Sequence, residues 1–178
     1  MALPDIVVPV TEPETEWVRG RPLQKVSPTR SHALLQYAMA SALHAWAGGR
    51  GEVGTEWRFR VRPPGEPARP LVPDVAYVDA SRLRGLRGDD LEVPRLSPDV
   101  AVEVLSPDDR RIDVASKIAT YLAAGTMLVV IVDPQREIVE LHDGVTRTVA
   151  ERGQEVAHPT LPGFCLPVSE LFDAIAPR

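Results

Sequence analysis

Residues 97–134 read SPDVAVEVLSPDDRRIDVASKIATYLAAGTMLVVIVDP. The apolar run at 99–105 follows Ser-Pro and has strand character. Ser106 to Asp109 then forms a polar cap before a segment in which Ile112, Ala115, Ile118, Ala119 and Leu122 recur at helical spacing, and Gly125 stops it. MLVVIV, at 127–132, is a second buried strand, ended by Asp133-Pro134. Strand, helix and strand in succession predict an α/β protein. Side chains alternate along a strand, which sets Asp99, Ala101, Glu103 and Leu105 on one face and Val100, Val102 and Val104 on the other. Glu103 is the anomaly, because a carboxylate inside an apolar strand costs several kcal/mol unless a cation or good donors compensate it.

The same four letters, PDVA, stand earlier in VPDVAYVD, residues 72–79. There Asp74 opens a strand over 71–78. Carboxylates at the ends of neighbouring strands make an oxygen site suited to a hard cation such as Mg²⁺, and Glu56, on a preceding strand at 52–61, is a further candidate ligand. Asp99 is a second candidate, although an aspartate after proline is also a common turn former.

Further out, Leu35, Ala38, Met39, Ala42 and Trp46 define an amphipathic helix over 31–46 with glycines behind it. A small hairpin is expected over 16–28. Another covers 136–151, turning at Asp143-Gly144 as a type I′ pair, and a short helix closes the chain at about 169–175. The expected fold is a mixed β-sheet flanked by helices, in one domain spanning 1–178, with residues 1–15 as an N-terminal extension.

Composition narrows the function. The chain has 178 residues, 44% of them hydrophobic, enough for a genuine core. No apolar stretch is long enough for a membrane span, and the N-terminus has neither a basic leader nor a cleavage site, so a cytoplasmic protein is expected. Cys165 stands alone, and no histidine pair has zinc-ligand spacing. The four histidines read as surface or packing residues. A net charge of −5 argues against nonspecific coating of nucleic acid but leaves room for a local basic groove. Of the 20 basic residues only Lys25 and Lys117 are lysine.

The Pro-Asp strand followed by a Glu-bearing strand, with one helix ahead and one behind, resembles the PD-(D/E)xK nuclease superfamily. The block 97–134 is similar to the Uma-type restriction endonuclease family in its strand, LSP turn, lysine-bearing helix, YL-x-x-G stop and VDP strand end. The likeness extends back through VPDVAYV and SPTRSH to EWVRG. It implies a restriction-endonuclease-like fold and a metal-dependent endonuclease. Asp74, Glu103 and the backbone carbonyl of Val104 would hold Mg²⁺ or Mn²⁺, and water activated by the metal would hydrolyse a DNA phosphodiester.

One departure stands out: Leu105 occupies the position where the superfamily has lysine. In the Uma-type pattern the lysine lies on the following helix, here Lys117, which would complete the catalytic set with Asp74 and Glu103. Asp113, Lys117 and Tyr121 form a row beside the apolar stripe, so a surface pair between Asp113 and Lys117 is the competing reading. Arg82, Arg84, Arg87, Arg110 and Arg111 are candidates for phosphate contacts or members of a solvated loop. A homodimer would suit double-strand cleavage. A catalytically degenerate nuclease fold that only binds nucleic acid or protein is the alternative function.

Overall fold

The computed structural model describes residues 3–177, so residues 1, 2 and 178 of the expected domain lie outside it. A hairpin of β1 (Thr15–Val18) and β2 (Arg21–Gln24) precedes the long helix α1 (Arg30–Ala47). Its turn is Arg19-Gly20, both with positive φ, 51° and 75°, a twist that suits a two-residue hairpin. Thr29 caps α1 by accepting from the His32 N–H, and Gly48 ends it at φ 53°, the left-handed conformation glycine adopts most readily.

Next come β3 (Gly51–Thr55), β4 (Phe59–Val61), β5 (Arg69–Leu71) and β6 (Val75–Asp79), then the short helices α2 (Ala80–Leu83) and α3 (Asp89–Glu92). The block that decides the fold forms β7 (Val100–Val104), α4 (Arg111–Ala123) and β8 (Leu128–Asp133). β9 (Ile138–His142), β10 (Arg147–Ala150), β11 (Glu155–Val156), β12 (Leu166–Pro167) and α5 (Val168–Asp173) complete the chain.

The central sheet has six strands in the order β10-β9-β8-β7-β6-β3. β7 and β8 are parallel, joined over the sheet by α4, and the other neighbours are antiparallel. Val100, Val102 and Val104 enter the core against α1 and α5, whereas Ala101 packs on the opposite face with Tyr121 of α4. The alternation expected of this strand therefore holds.

Four local expectations are corrected. The strand expected over 52–61 breaks at Glu56, whose φ of 50° turns the chain out of the sheet, so that β4 pairs with β5 instead. The Asp143-Gly144 turn is a four-residue loop, because His142 pairs with Arg147; the Asp143 carboxylate accepts from the N–H groups of Val145 at 2.8 Å and Thr146 at 2.6 Å. In α4 the inward row is Asp113, Lys117 and Tyr121, while Ile112 is 51% exposed. Of the expected apolar stripe, Ile118 and Leu122 pack against the core, but Ala115 and Ala119 are exposed along with Ile112, so the inward face is rotated toward the polar row. The polar cap expected at 106–109 lies outside the helix: Arg110 is the N-cap residue without a side-chain bond, and Asp109 accepts from the Ser106 N–H.

Candidate active site

β6 and β7 run antiparallel with Val75 opposite Val102, a register that sets Asp74 opposite Glu103 when carried one residue further. Ala76 and Ala101, the next residues on the same side of each strand, share the apolar cluster beneath α4. Asp74 and Glu103 therefore rise from one face of the sheet, at one end of it, and both line a cavity of about 120 Å³.

Asp74 is 2% exposed, and both of its oxygens have partners. Its Oδ1 accepts from Lys25 Nζ at 2.6 Å. Its Oδ2 accepts from the Val104 N–H at 2.6 Å and lies 3.2 Å from His32 Nε2. Burial works against ionisation of Asp74, but the His32 hydrogen bond and the charges of Lys25, His32 and Lys117 outweigh it and hold the carboxyl well below the usual range.

Glu103 accepts from Lys117 Nζ at 2.6 Å and from the Tyr121 hydroxyl at 3.4 Å. Lys117 also donates to Glu16 Oε2 at 2.8 Å, while Glu16 Oε1 takes the Val72 N–H at 2.7 Å. Burial favours a protonated Glu103 and the ammonium favours an ionised one. Burial prevails and pushes Glu103 up to about 8, against the pull of Lys117 and with the charges of Glu16 and Asp74 adding to the rise. Lys117 stays charged: burial alone would lower it, but Glu103 and Glu16 both face it and raise it.

A carboxyl whose pKa rises on folding contributes stability that is complete below its ordinary value of 4.5 and is lost as pH climbs through about 8. Glu103→Gln removes that dependence and leaves Lys117 its bond to Glu16. The stability of the variant relative to wild type is therefore expected to increase between about pH 5 and pH 9, read by urea titration. A difference that stays flat would contradict the burial of this carboxyl as described.

Not every sequence candidate reaches the site. Asp99 opens β7, at the far end of the strand from Glu103, where it accepts from the Asp79 N–H at 2.7 Å and from Arg82 at 2.6 Å. Arg82 is thus tied to Asp99, and Arg84 and Arg87 follow it along the same α2–α3 segment. Arg110 lines the cavity, and Arg111 lines a neighbouring groove. Glu56 lies at the edge, its Oε2 2.8 Å from Lys25 Nζ and its Oε1 2.9 Å from Gln36 Nε2. Asp113 does not pair with Lys117: it receives Arg21 at 2.9 Å and Arg19 at 3.4 Å from the β1–β2 turn.

Sequence reasoning missed Glu16, Lys25, His32 and Tyr121. One signal for Lys25 was present. A chain that writes nearly all its positive charge as arginine has two lysines, and the fold brings both to this cavity.

A six-stranded mixed sheet flanked by helices, with buried carboxylates at the end of two adjacent strands and a lysine from the next helix, defines the restriction-endonuclease-like class of fold. The family profile named Uma2, described as "Putative restriction endonuclease", matches residues 4–169, and the chain belongs to that family. Its fold is also that of a crystal structure of a "putative nuclease belonging to DUF820" from Anabaena variabilis, with a TM-score of 0.83, 24% sequence identity and 95% of each chain covered. No curated protein matches the chain in sequence.

Proposed function

We propose that this chain is a divalent-metal-dependent endonuclease that hydrolyses DNA phosphodiesters, with Asp74, Glu103 and Lys117 as its catalytic set. The observation that carries the reading is the convergence of Asp74 and Glu103 on one cavity with the Lys117 ammonium already bonded to Glu103. Membership of a restriction endonuclease family supports a nucleic-acid substrate, and such families generally use divalent metal ions.

The donor set fits Mg²⁺ or Mn²⁺. Among the described residues no group of three or more His, Cys, Asp or Glu side chains is arranged to hold a metal ion. Mg²⁺ does not ask for one, since it commonly takes one or two carboxylates, retains several waters and binds substrate phosphate oxygens. Asp74, Glu103 and the Val104 backbone at the cavity wall would hold it. The cavity also needs a cation before a phosphate can enter: six carboxylates line it against two lysines, one arginine and His32. Among the described residues the buried Nδ1 of His32 has no hydrogen-bond partner, while its Nε2 faces Asp74. When bound, the metal supplies a Lewis acid that acidifies water and offsets charge developing on the phosphate.

The protein's own groups divide the remaining work. An ammonium has three donors, and Lys117 spends two of them on Glu16 and Glu103. Its third is available to hold a water or a phosphate oxygen. Glu16 keeps the lysine aimed. The Val104 N–H fixes the Asp74 carboxylate on the strand end.

Arg110 lines this cavity and is the arginine we assign to the DNA backbone, and Asp113 of the same lining holds Arg19 and Arg21. Arg110→Ala is therefore expected to weaken DNA binding and reduce its salt dependence by about one phosphate contact, whereas Arg84→Ala and Arg87→Ala should leave both unchanged. Fluorescence anisotropy across a salt series reads this.

The function is tested by incubating the pure protein with supercoiled, linear and single-stranded DNA in Mn²⁺, Mg²⁺ or chelator. Metal-dependent nicking that Glu103→Gln abolishes is expected. Tight DNA binding without cleavage in any metal would replace the enzyme with a binding module on a nuclease fold.

A further inference from the structure

Lys25 differs from Lys117 in one countable respect: all three of its donors are taken. Nζ gives hydrogen bonds to Asp74 Oδ1 at 2.6 Å, Glu56 Oε2 at 2.8 Å and the Val72 carbonyl at 3.0 Å. The side chain is 12% exposed. A lysine held in this way has no donor left for water or substrate. Its surroundings are a cage of two carboxylates and one carbonyl, the oxygen set that hard divalent cations take. Gln36 braces the cage from behind, donating to Glu56 Oε1 at 2.9 Å and to the Asp74 carbonyl at 2.8 Å. Asp74 belongs both to this cage and to the cavity it shares with Glu103, so the cage lies directly beside the proposed catalytic metal.

We propose that Lys25 is a built-in counter-cation: its ammonium fills, as part of the chain, a second cation position between Asp74 and Glu56 that would otherwise take a divalent metal ion. The inference deepens the metal reading of Asp74 and rests on it for the chemistry. Two-metal nucleases place paired ions about 3.5–4 Å apart as a clamp on the attacking and leaving oxygens. Here one member of such a pair is supplied by the protein. Lysine suits the role because its charge is compact and its donors are not confined to a plane, whereas the guanidinium used nearly everywhere else in this chain is a flat fork. Lys25 is in this sense a positioning residue, holding Asp74 charged and oriented whether or not metal is bound.

The test is a count of bound Mn²⁺ by calorimetry and electron paramagnetic resonance on wild type, Lys25→Met and Lys25→Met/Glu56→Gln. The single variant is expected to bind one more Mn²⁺ than wild type, and the double variant to lose that ion because a neutral amide replaces a cage carboxylate. An unchanged count in Lys25→Met overturns the proposal, as does an extra ion that survives Glu56→Gln. The wild-type count separately tests the metal reading: one ion in wild type and two in Lys25→Met upholds both, whereas none and one would keep the cage and remove the Asp74–Glu103 metal. Should Lys25→Met fail to fold, Lys25→Leu, which likewise leaves no donor in the cage, gives the same count.

Discussion

Lys117→Ala is expected to bind Mn²⁺ with nearly unchanged affinity while DNA cleavage falls by about 10² to 10⁴, the usual loss for an acid–base or orienting group. The geometry supports this separation. Lys117 bonds to Glu103 and Glu16 rather than to Asp74, which leaves one donor for the water or phosphate oxygen of the proposed reaction. Lys117→Arg should fail nearly as badly, because a guanidinium in a cavity of about 120 Å³ sets its donors in a plane and cannot reproduce the directions of the ammonium donors. The surface-pair reading would have predicted full activity for arginine. It does not fit a lysine that is 8% exposed and whose supposed partner, Asp113, is taken by two arginines. Removing the ammonium also leaves the buried carboxyl groups of Glu16 and Glu103 without the donor they share, so single-turnover rates should be measured below the lowered melting temperature. Cleavage by Lys117→Ala at the wild-type rate would remove Lys117 from the reaction.

Asp74→Ala is expected to give the largest loss of stability in the site, about 3–5 kcal/mol, because it leaves a buried ammonium without its strongest partner. The Val104 N–H and His32 lose their acceptor at the same time. Asp74→Asn retains an acceptor oxygen and should cost less, about 1–3 kcal/mol, yet it should lose metal binding just as completely. Urea unfolding at fixed pH separates the two variants, and a Mn²⁺ titration shows whether they coincide in binding. If Asp74→Ala were as stable as wild type, the bonds described around Asp74 would contribute nothing to the fold.

The two PDVA segments show how far a sequence alone can be read. Each places an aspartate at the start of a strand, and the letters give no reason to separate Asp74 from Asp99. The fold separates them because β6 and β7 are antiparallel: strand starts then lie at opposite ends of the sheet. Asp74 meets Glu103, at the end of β7, while Asp99 meets the Asp79 N–H and Arg82, at the end of β6. Strand alternation was enough to identify Glu103 as anomalous and to assign its face.

Alternation and helical spacing are local, however, and the missing half of the site is not. Glu16 lies 101 residues from Lys117, and Lys25 lies 49 from Asp74. The same distance explains the misread face of α4. Its charged row turns inward because Glu16, Glu103 and the arginines of the β1–β2 turn wait there to neutralise it, and no apolar count over the helix itself contains that information. His32 was legible only as a histidine near the start of a helix; what gives it a role is the Asp74 carboxylate 3.2 Å away.

The proposed function requires Asp74 and Glu103 together to hold the metal on which cleavage depends. Anomalous diffraction at the manganese edge from crystals soaked in Mn²⁺ tests it most directly. One peak per chain is expected within coordination distance of both carboxylates, about 2.0–2.6 Å, with Lys25 still in its cage and Lys117 at the edge of the site. No peak at saturating Mn²⁺, or a peak that touches neither Asp74 nor Glu103, would contradict it.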